Sequence, residues 1–468
     1  MRLGLHGHGY SPVALDKMVT INGQVKSGPV AVKVLKKLTH ISISDSHLMN
    51  LSEGIGKELA EQRDQRAAEH IAETLQPEVK EPPQVVAVGT DGGRAYTRAE
   101  GAGRGVHEGA WKETKIASLA TLRSETHQAA PHPELPGCFA DEAKVSKLVR
   151  EIKSIRSEGG GGQANEAADA DQPAADGDVE ELLESLVLPA STAENGWDGC
   201  SADDAADRAE PAAKESEKGP SQQPPPPTKK KDWRPQRKVR TSVSSFCSSD
   251  EFGAKVAAEA RRRRFFEASR KAFLGDGLKW NWTLQQRWFP DFEPILDFVH
   301  PTTYVYEASR VVAADDTSAW SLCQRWLEAC WQGHVSIVLS ELRSWQASHP
   351  SPPGEKLADD DGRTIVSKAV TYLTNNASRM DYPKYRKLGL PVTSSMVESL
   401  IKEINYRVKG SEKAWERSGR GEWMLQVRNA VLCDDADRLS DFILSRPGCA
   451  YYRPSTAKRA SQPSATAA

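Results

Sequence analysis

Between Glu158 and Asp232 the sequence turns to GGGG, AADADQPAADGD and ESEKGPSQQPPPPTKKK, with hardly an aromatic side chain. Such a stretch cannot bury enough apolar surface to offset the entropy lost on ordering it, so it predicts a disordered acidic and Pro-rich linker. Whatever this chain of 468 residues folds into must therefore be assembled from a part before the linker and a part after it. One run inside it, DVEELLESLVL, has the spacing of a short amphipathic helix for a partner.

No run of about 18 apolar residues occurs, and the start, MRLGLHGHGYSPVALDK, lacks the apolar stretch of a secretory signal, so a soluble intracellular protein is expected. The seven cysteines form no C-x-x-C pair. Neither a zinc site nor a disulfide framework is suggested, which suits a reducing cytosol. The net charge of -2 conceals an asymmetry: from Lys229 onward there are 38 Lys and Arg against 28 Asp and Glu, leaving the acidic balance to the rest. A basic half admits phosphate partners, although a run such as Arg261 to Arg264 reads equally as the solvated face of a helix.

The apolar spacing at Ala31, Val34, Leu35 and Leu38, and again at Leu48, Leu51, Ile55 and Leu59, predicts two helices within 29–75 broken at THISISDS. They suit either a DNA-reading pair or a plain helical hairpin. From Gln84 the pattern changes. VVAVGT, RAYTR and TKIASLATL read as an antiparallel three-strand meander with Asp91-Gly92-Gly93 at its first turn, and a helix follows over 139–156. After the linker, a helix through EARRRRFFEASR, a strand KAFLGD, a helix through TLQQRWF and a strand PILDFV alternate, as in a sheet with parallel neighbours. Residues 303–347 read as helical and rich in tryptophan, with further helices at 363–378, 395–408 and 421–445 and a disordered tail after Tyr452.

Three acids stand out: Asp91 in VVAVGTDGGR, Asp276 in KAFLGDGLKW and Glu398 in PVTSSMVESLIKEINYRVKG. Read singly, each has a structural role open to it. Asp-Gly is a good turn dipeptide, and Ser395-Met-Val-Glu398 has the form of a helix capping box. Read together, they are carboxylates from distant parts of the chain, placed where regular structure begins or ends. That is what a two-metal phosphoryl-transfer site requires, because hard divalent cations take oxygen ligands.

LGDG followed by WFPDFEPILDFVH, and GLPVTSSMVESLIKEINYRVKGSEKAW followed by GEWMLQVRNAVL, resemble the DDE transposases of bacterial insertion sequences, particularly the ISKra type related to Mutator-like transposases. The resemblance spans about 84–125 and 250–445 and is strongest around Glu398. It implies an α/β fold: an RNase H-like mixed sheet with a helical insertion, an N-terminal helical segment and a long disordered linker. It places the catalytic, metal-holding triad on Asp91, Asp276 and Glu398, and the family's Asp-x-x-His signature on Asp297 and His300. It implies two Mg²⁺ or Mn²⁺ ions roughly 3.5–4 Å apart, and strand cleavage and transfer on double-stranded DNA bearing the element's terminal repeats and on target DNA. It further implies a homo-oligomer on DNA and a cytoplasmic, nucleoid-associated location. Arg407, Lys409 and Lys413 are the expected backbone contacts, and Trp326 and Trp331 the candidates for stacking on a base.

The corresponding segments are 1–83 (helical, with possible DNA binding), 84–157 and 250–302 (two parts of the catalytic domain), 158–249 (linker), 303–390 (helical insertion), 391–452 (C-terminal catalytic helices) and 453–468 (tail). A truncated or domesticated copy that only binds DNA, and a non-catalytic helical interaction protein, remain alternative readings of the same residues.

Overall fold

The structure, a computed structural model, describes residues 10–98, 109–157, 234–350, 357–409, 415, 419–435 and 438–446. The predicted disorder over 158–232, the DVEELLESLVL segment and the tail lie outside the described residues.

The chain is mixed α/β. Five strands, β1 (Val85–Arg98), β2 (Gly109–Arg123), β3 (Gln236–Ser245), β4 (Arg270–Gly275) and β5 (Glu293–Leu296), form one sheet in the order β3-β2-β1-β4-β5. β1 pairs antiparallel with β2, and β2 antiparallel with β3. On the other side β1 runs parallel to β4, and β4 parallel to β5. β1 is therefore the central strand, and its run Val85–Val88 is buried throughout, as a near-continuous apolar stretch flanked on both sides requires.

Two sequence expectations are corrected here. Asp91-Gly92-Gly93 is not a turn: β1 continues through it to Arg98, with Asp91 opposite Ile116, Gly92 opposite Lys115 and Gly93 opposite Thr114. At Gly93 a Cβ would come within 2.6 Å of Thr114 Oγ1, so the glycine admits close approach of the partner strand rather than reversing the chain. RAYTR is accordingly the far end of β1. The third strand is Gln236–Ser245, in the range assigned to the linker. Its buried residues, on both faces, include Thr241, Ser242, Ser244 and Ser245, with Asn429 bonded to the Ser242 and Ser244 hydroxyls and Arg263 donating to Thr241 Oγ1. A polar buried face gives no apolar alternation to read.

Helices cover the sheet in two packed groups. The first joins α1 (Pro12–Gln24), α2 (Gly28–Thr39) and α3 (Asp45–Ile71) to α12 (Ser395–Val408), α13 (Arg420–Leu432) and α14 (Arg438–Ser445) through Leu15, Met18, Leu35, Leu48, Ile55, Leu400, Ile404, Leu425 and Ile443. Ser11 and Ser44 cap α1 and α3 by accepting from Ala14 N and His47 N. The N-terminal segment thus packs on the C-terminal helices, and Arg428 of α13 donates to Gly23 O at 2.8 Å. The second group surrounds Val85–Val88, Phe273 and Leu274. It includes α4 (Glu142–Ser157), α5 (Ser249–Arg262), α6 (Lys279–Trp288), α7 (Val299–Val312), α8 (Asp316–Trp331), α9 (Val335–Ser348), α10 (Gly362–Asn376) and α11 (Tyr382–Lys387).

The region expected as helical over 303–347 is divided into α7, α8 and α9, the first break marked by the Asp315–Ser318 capping box at the start of α8. The helix expected over 421–445 is likewise two, α13 and α14. No helix among the described residues is long and apolar enough to cross a membrane. Cys247, Cys323, Cys330 and Cys433 are free thiols, whereas Cys138 is disulfide-bonded, a crosslink the cysteine spacing does not announce.

Candidate active site at the ends of the parallel strands

The register brings three carboxylates into line. Gly89 of β1 lies abreast of Leu274 of β4, so two residues farther along each strand Asp91 comes abreast of Asp276. Gly275 lies abreast of Leu296 of β5, so the next residues, Asp276 and Asp297, are neighbours in turn. The acids thus stand in a row where the parallel strands end, the place where α/β sheets gather ligands.

Glu398 arrives from above. The sheet face of Gly89, shared by Asp91, meets α12: a Cβ at Gly89 would collide with Val397 Cγ2, so only glycine lets the helix sit this close. The N-cap of α12 is Ser394, not Ser395, which makes Glu398 the fourth helical residue and removes it from capping-box register. Ser394 Oγ donates to Glu398 Oε1 at 3.4 Å.

The surrounding groups hold each acid separately. Asp91 Oδ1 accepts from Gly92 N at 2.6 Å. Asp276 Oδ1 accepts from Leu278 N at 2.9 Å and from Asn281 Nδ2 at 2.6 Å, and Asn281 Oδ1 accepts from Thr90 Oγ1 at 2.8 Å. Buried Asn281 therefore ties the loop after β4 to the residue preceding Asp91 on β1. The turn needs Gly277, at φ +96°, beneath which the Tyr372 hydroxyl donates to Asp276 O at 2.7 Å. Asp297 is fully buried. Its Oδ1 accepts from Ser394 N and its Oδ2 bonds His300 Nδ1, both at 2.8 Å, so it links the end of β5 to the start of the Glu398 helix. Asp297, His300 and Glu398 each bring a ligand-type atom within 4.8 Å of the others.

Crowded charge shows in the protonation equilibria. Burial, then repulsion from Asp276 and Glu398, pushes Asp91 up to about 7 against the opposing effects of His300 and the Gly92 amide. Glu398 is also raised to about 7, by burial and then Asp297, with His300, Lys402 and Ser394 opposing. For His300 burial alone would favour the neutral ring. The hydrogen bond and charge of Asp297, reinforced by Asp276 and Asp91, outweigh it and lift the imidazole to about 9. At neutral pH His300 is thus an imidazolium among carboxylates, with Nδ1–H donating to Asp297.

The expected DNA contacts fare differently. Arg407 is buried: it donates to Asn22 O at 3.0 Å and joins α12 to α1, so it is a packing residue and not a phosphate contact. Trp326 and Trp331 are fully buried, their indole N–H groups donating to Glu341 and to His132 O, so neither face reaches a base. Their helical spacing is that of a core-facing stripe, and the core is where the structure places them. Lys409 lies half-exposed, 5.7 Å from the Trp111 ring centroid, and Lys413 lies outside the described residues. Asn281, Thr90, Ser394 and Tyr372 went unread in the sequence, since nothing local in KWNWTLQQRW marks an asparagine that spans two strands.

No family model matches the chain, and none of the curated proteins matches it.

Proposed function

We propose that the protein is a DDE-type DNA transposase: a metal-dependent enzyme that cleaves and joins DNA strands from an RNase H-like catalytic sheet. The observation that carries this reading is the approach of Asp276 and Glu398, from distant parts of the chain, to Asp91, whose ionised form both acids disfavour. Supporting the RNase H-like reading is the strand order 3-2-1-4-5, antiparallel on one side of the central strand and parallel on the other, with acids on the central strand, at the end of its parallel neighbour and on a helix packed over the central strand and its antiparallel partner.

The donor set is of hard carboxylate oxygens, as a divalent ion requires, and of its members Asp91 and Glu398 are raised, first by burial and then by neighbouring acids. The ligand atoms that already lie within 4.8 Å of one another among the described residues are those of Asp297, His300 and Glu398, so of the triad Glu398 alone belongs to that group. Asp91, Asp276 and Glu398 would hold the ion. Bound Mg²⁺ or Mn²⁺, two ions in this reading, supplies activation of the attacking water or 3′-hydroxyl and stabilisation of the leaving oxygen. The rest falls to the chain. β1 fixes Asp91 within regular structure, Asn281 orients Asp276, and the Asp297–Ser394 bond sets the first turn of α12 and with it Glu398. The His300 imidazolium partly balances the cluster and is oriented by Asp297.

Purified full-length protein should nick and join plasmid DNA carrying the sequence that flanks its gene when Mg²⁺ or Mn²⁺ is added, and not in EDTA. Failure to cut or join under any divalent-ion condition, with folded protein, sinks the reading. The positioning role of Asn281 gives a finer expectation. Asn281→Ala should raise the Mg²⁺ concentration needed for half-maximal cleavage by about 10- to 100-fold, the range typical of groups that orient metal ligands. An unchanged Mg²⁺ dependence would assign Asn281 to packing alone.

A further inference from the structure

Of the three acids, Asp276 is the one that regular structure does not hold. Asp91 lies within β1 and Glu398 within α12, whereas β4 ends at Gly275 and Asp276 opens the turn that follows. The direction of its carboxylate therefore depends on what fixes that turn. Asn281 and the Leu278 amide bond the side chain, but the main chain is gripped from α10, a helix of the segment expected as an insertion. Tyr372 of α10 donates to Asp276 O at 2.7 Å, and its ring lies so close to the turn that a Cβ at Gly277 would come within 2.7 Å of it. That ring stacks on Tyr304 of α7, with centroids 4.0 Å apart and planes 17° from parallel. Tyr304 stands one helical turn beyond His300.

A second route starts one turn past Tyr372. Buried Asn376 donates to Tyr372 O at 3.0 Å and accepts from Trp282 Nε1 at 3.1 Å. Trp282 is the neighbour of Asn281, whose Nδ2 donates to Asp276 Oδ1 at 2.6 Å. One helix thus reaches the main chain of Asp276 directly and its carboxylate through Trp282 and Asn281.

We propose that Tyr372 is a positioning residue: its hydroxyl fixes the main chain of Asp276 and so aims the carboxylate at the divalent ion. In this way α10 sets the metal affinity of a site to which it gives no ligand. The inference rests on the transposase reading and adds to it which part of the helical insertion the chemistry depends on. The peptide unit after Asp276 lies outside the strand ladder, and holding its carbonyl restrains rotation about the Asp276 Cα. A ligand already held in place binds an ion more tightly than one that must first be ordered.

The test measures Mn²⁺ binding to the full chain, from the loss of the free-ion electron paramagnetic resonance signal, beside the Mn²⁺ dependence of strand cleavage. Tyr372→Phe keeps the ring on Tyr304 and removes only the hydroxyl. It should weaken Mn²⁺ binding by about tenfold, the low end for groups that orient ligands, because the hydroxyl acts through the main chain. Half-maximal cleavage should need correspondingly more Mn²⁺, and excess ion should recover the rate. Asn376→Ala, which removes the acceptor of Trp282 Nε1, should shift both readings the same way and carries the test if Tyr372→Phe does not fold. A folded variant that melts lower yet binds Mn²⁺ as wild type does makes Tyr372 a packing residue and overturns the inference. A rate loss that excess Mn²⁺ does not recover overturns it too, and both outcomes leave the catalytic reading standing. Wild type that neither binds Mn²⁺ nor cleaves overturns both.

Discussion

Asp91→Asn, Asp276→Asn and Glu398→Gln should each lower metal-dependent strand cleavage by about a thousandfold or more, because each removes a carboxylate from a site where ion-based charge stabilisation supplies several kcal/mol. The distinguishing expectation concerns stability. Without metal, Asp91 and Glu398 destabilise the fold when ionised, since burial and neighbouring acids raise both to about 7. Between the unfolded carboxylate value, about 4, and that raised value, the folded chain binds protons that the unfolded chain has released. The contribution of these groups to stability therefore falls as pH rises from about 4 to about 7, and the penalty is constant above. Asp91→Asn removes its share, so the metal-free variant should melt several degrees higher than wild type at pH 8, with little difference at pH 4. Mg²⁺ should raise the melting temperature of wild type and leave the variant nearly unmoved. Variants that lose activity but gain no stability, and a wild type indifferent to Mg²⁺, would make the three acids ordinary structural groups.

Glu259→Gln should be among the most destabilising single changes outside the site. Glu259 of α5 is buried, 5% exposed, and receives two forked guanidinium groups: Arg262 at 2.7 and 3.0 Å and Arg438 at 3.2 Å to each oxygen. Arg438 opens α14, so the cluster fastens the C-terminal helix to α5, and Arg262 also reaches Glu78 in the segment leading to β1. Removing the carboxylate leaves buried cations facing one another, a loss of about 3–5 kcal/mol in chemical denaturation at pH 7. Burial alone would raise the Glu259 carboxyl, but Arg438, Arg262 and Arg263 hold it well below its usual value. Its contribution is therefore complete above the unfolded Glu value, about 4.3, and is lost as pH falls through the lower folded one. Wild type and variant should converge in stability only in strong acid. A difference under about 1 kcal/mol at pH 7 would mean the cluster is solvated and weakly coupled.

Both arguments depend on features of unequal legibility. The β-branched run before Asp91, the helical periods of α2, α3 and α12, and the strand ending at Asp276 are local, and local patterns carry them. What misled was also local. Asp-Gly-Gly has turn chemistry in isolation, yet fourteen residues of β1 pair without a break because β2 offers a partner for all of them. β3 resembles its linker neighbours because most of its buried side chains are serines and a threonine, whose partners, Asn429 of α13 for Ser242 and Ser244 and Arg263 for Thr241, lie far along the chain. Arg407 resembles a surface cation until α1 is packed against it.

The sequence by itself determined which acids exist, their order along the chain and the alternation of strand and helix around two of them. Only the tertiary structure decided that Asp91, Asp276 and Asp297 stand abreast, that Glu398 sits above them through the gap left by Gly89, and that Trp111 rather than Trp326 or Trp331 faces outward. The reason is physical. Propensity and periodicity act over a few residues, whereas register and burial are set by pairing between segments separated by hundreds, and no single segment holds that information.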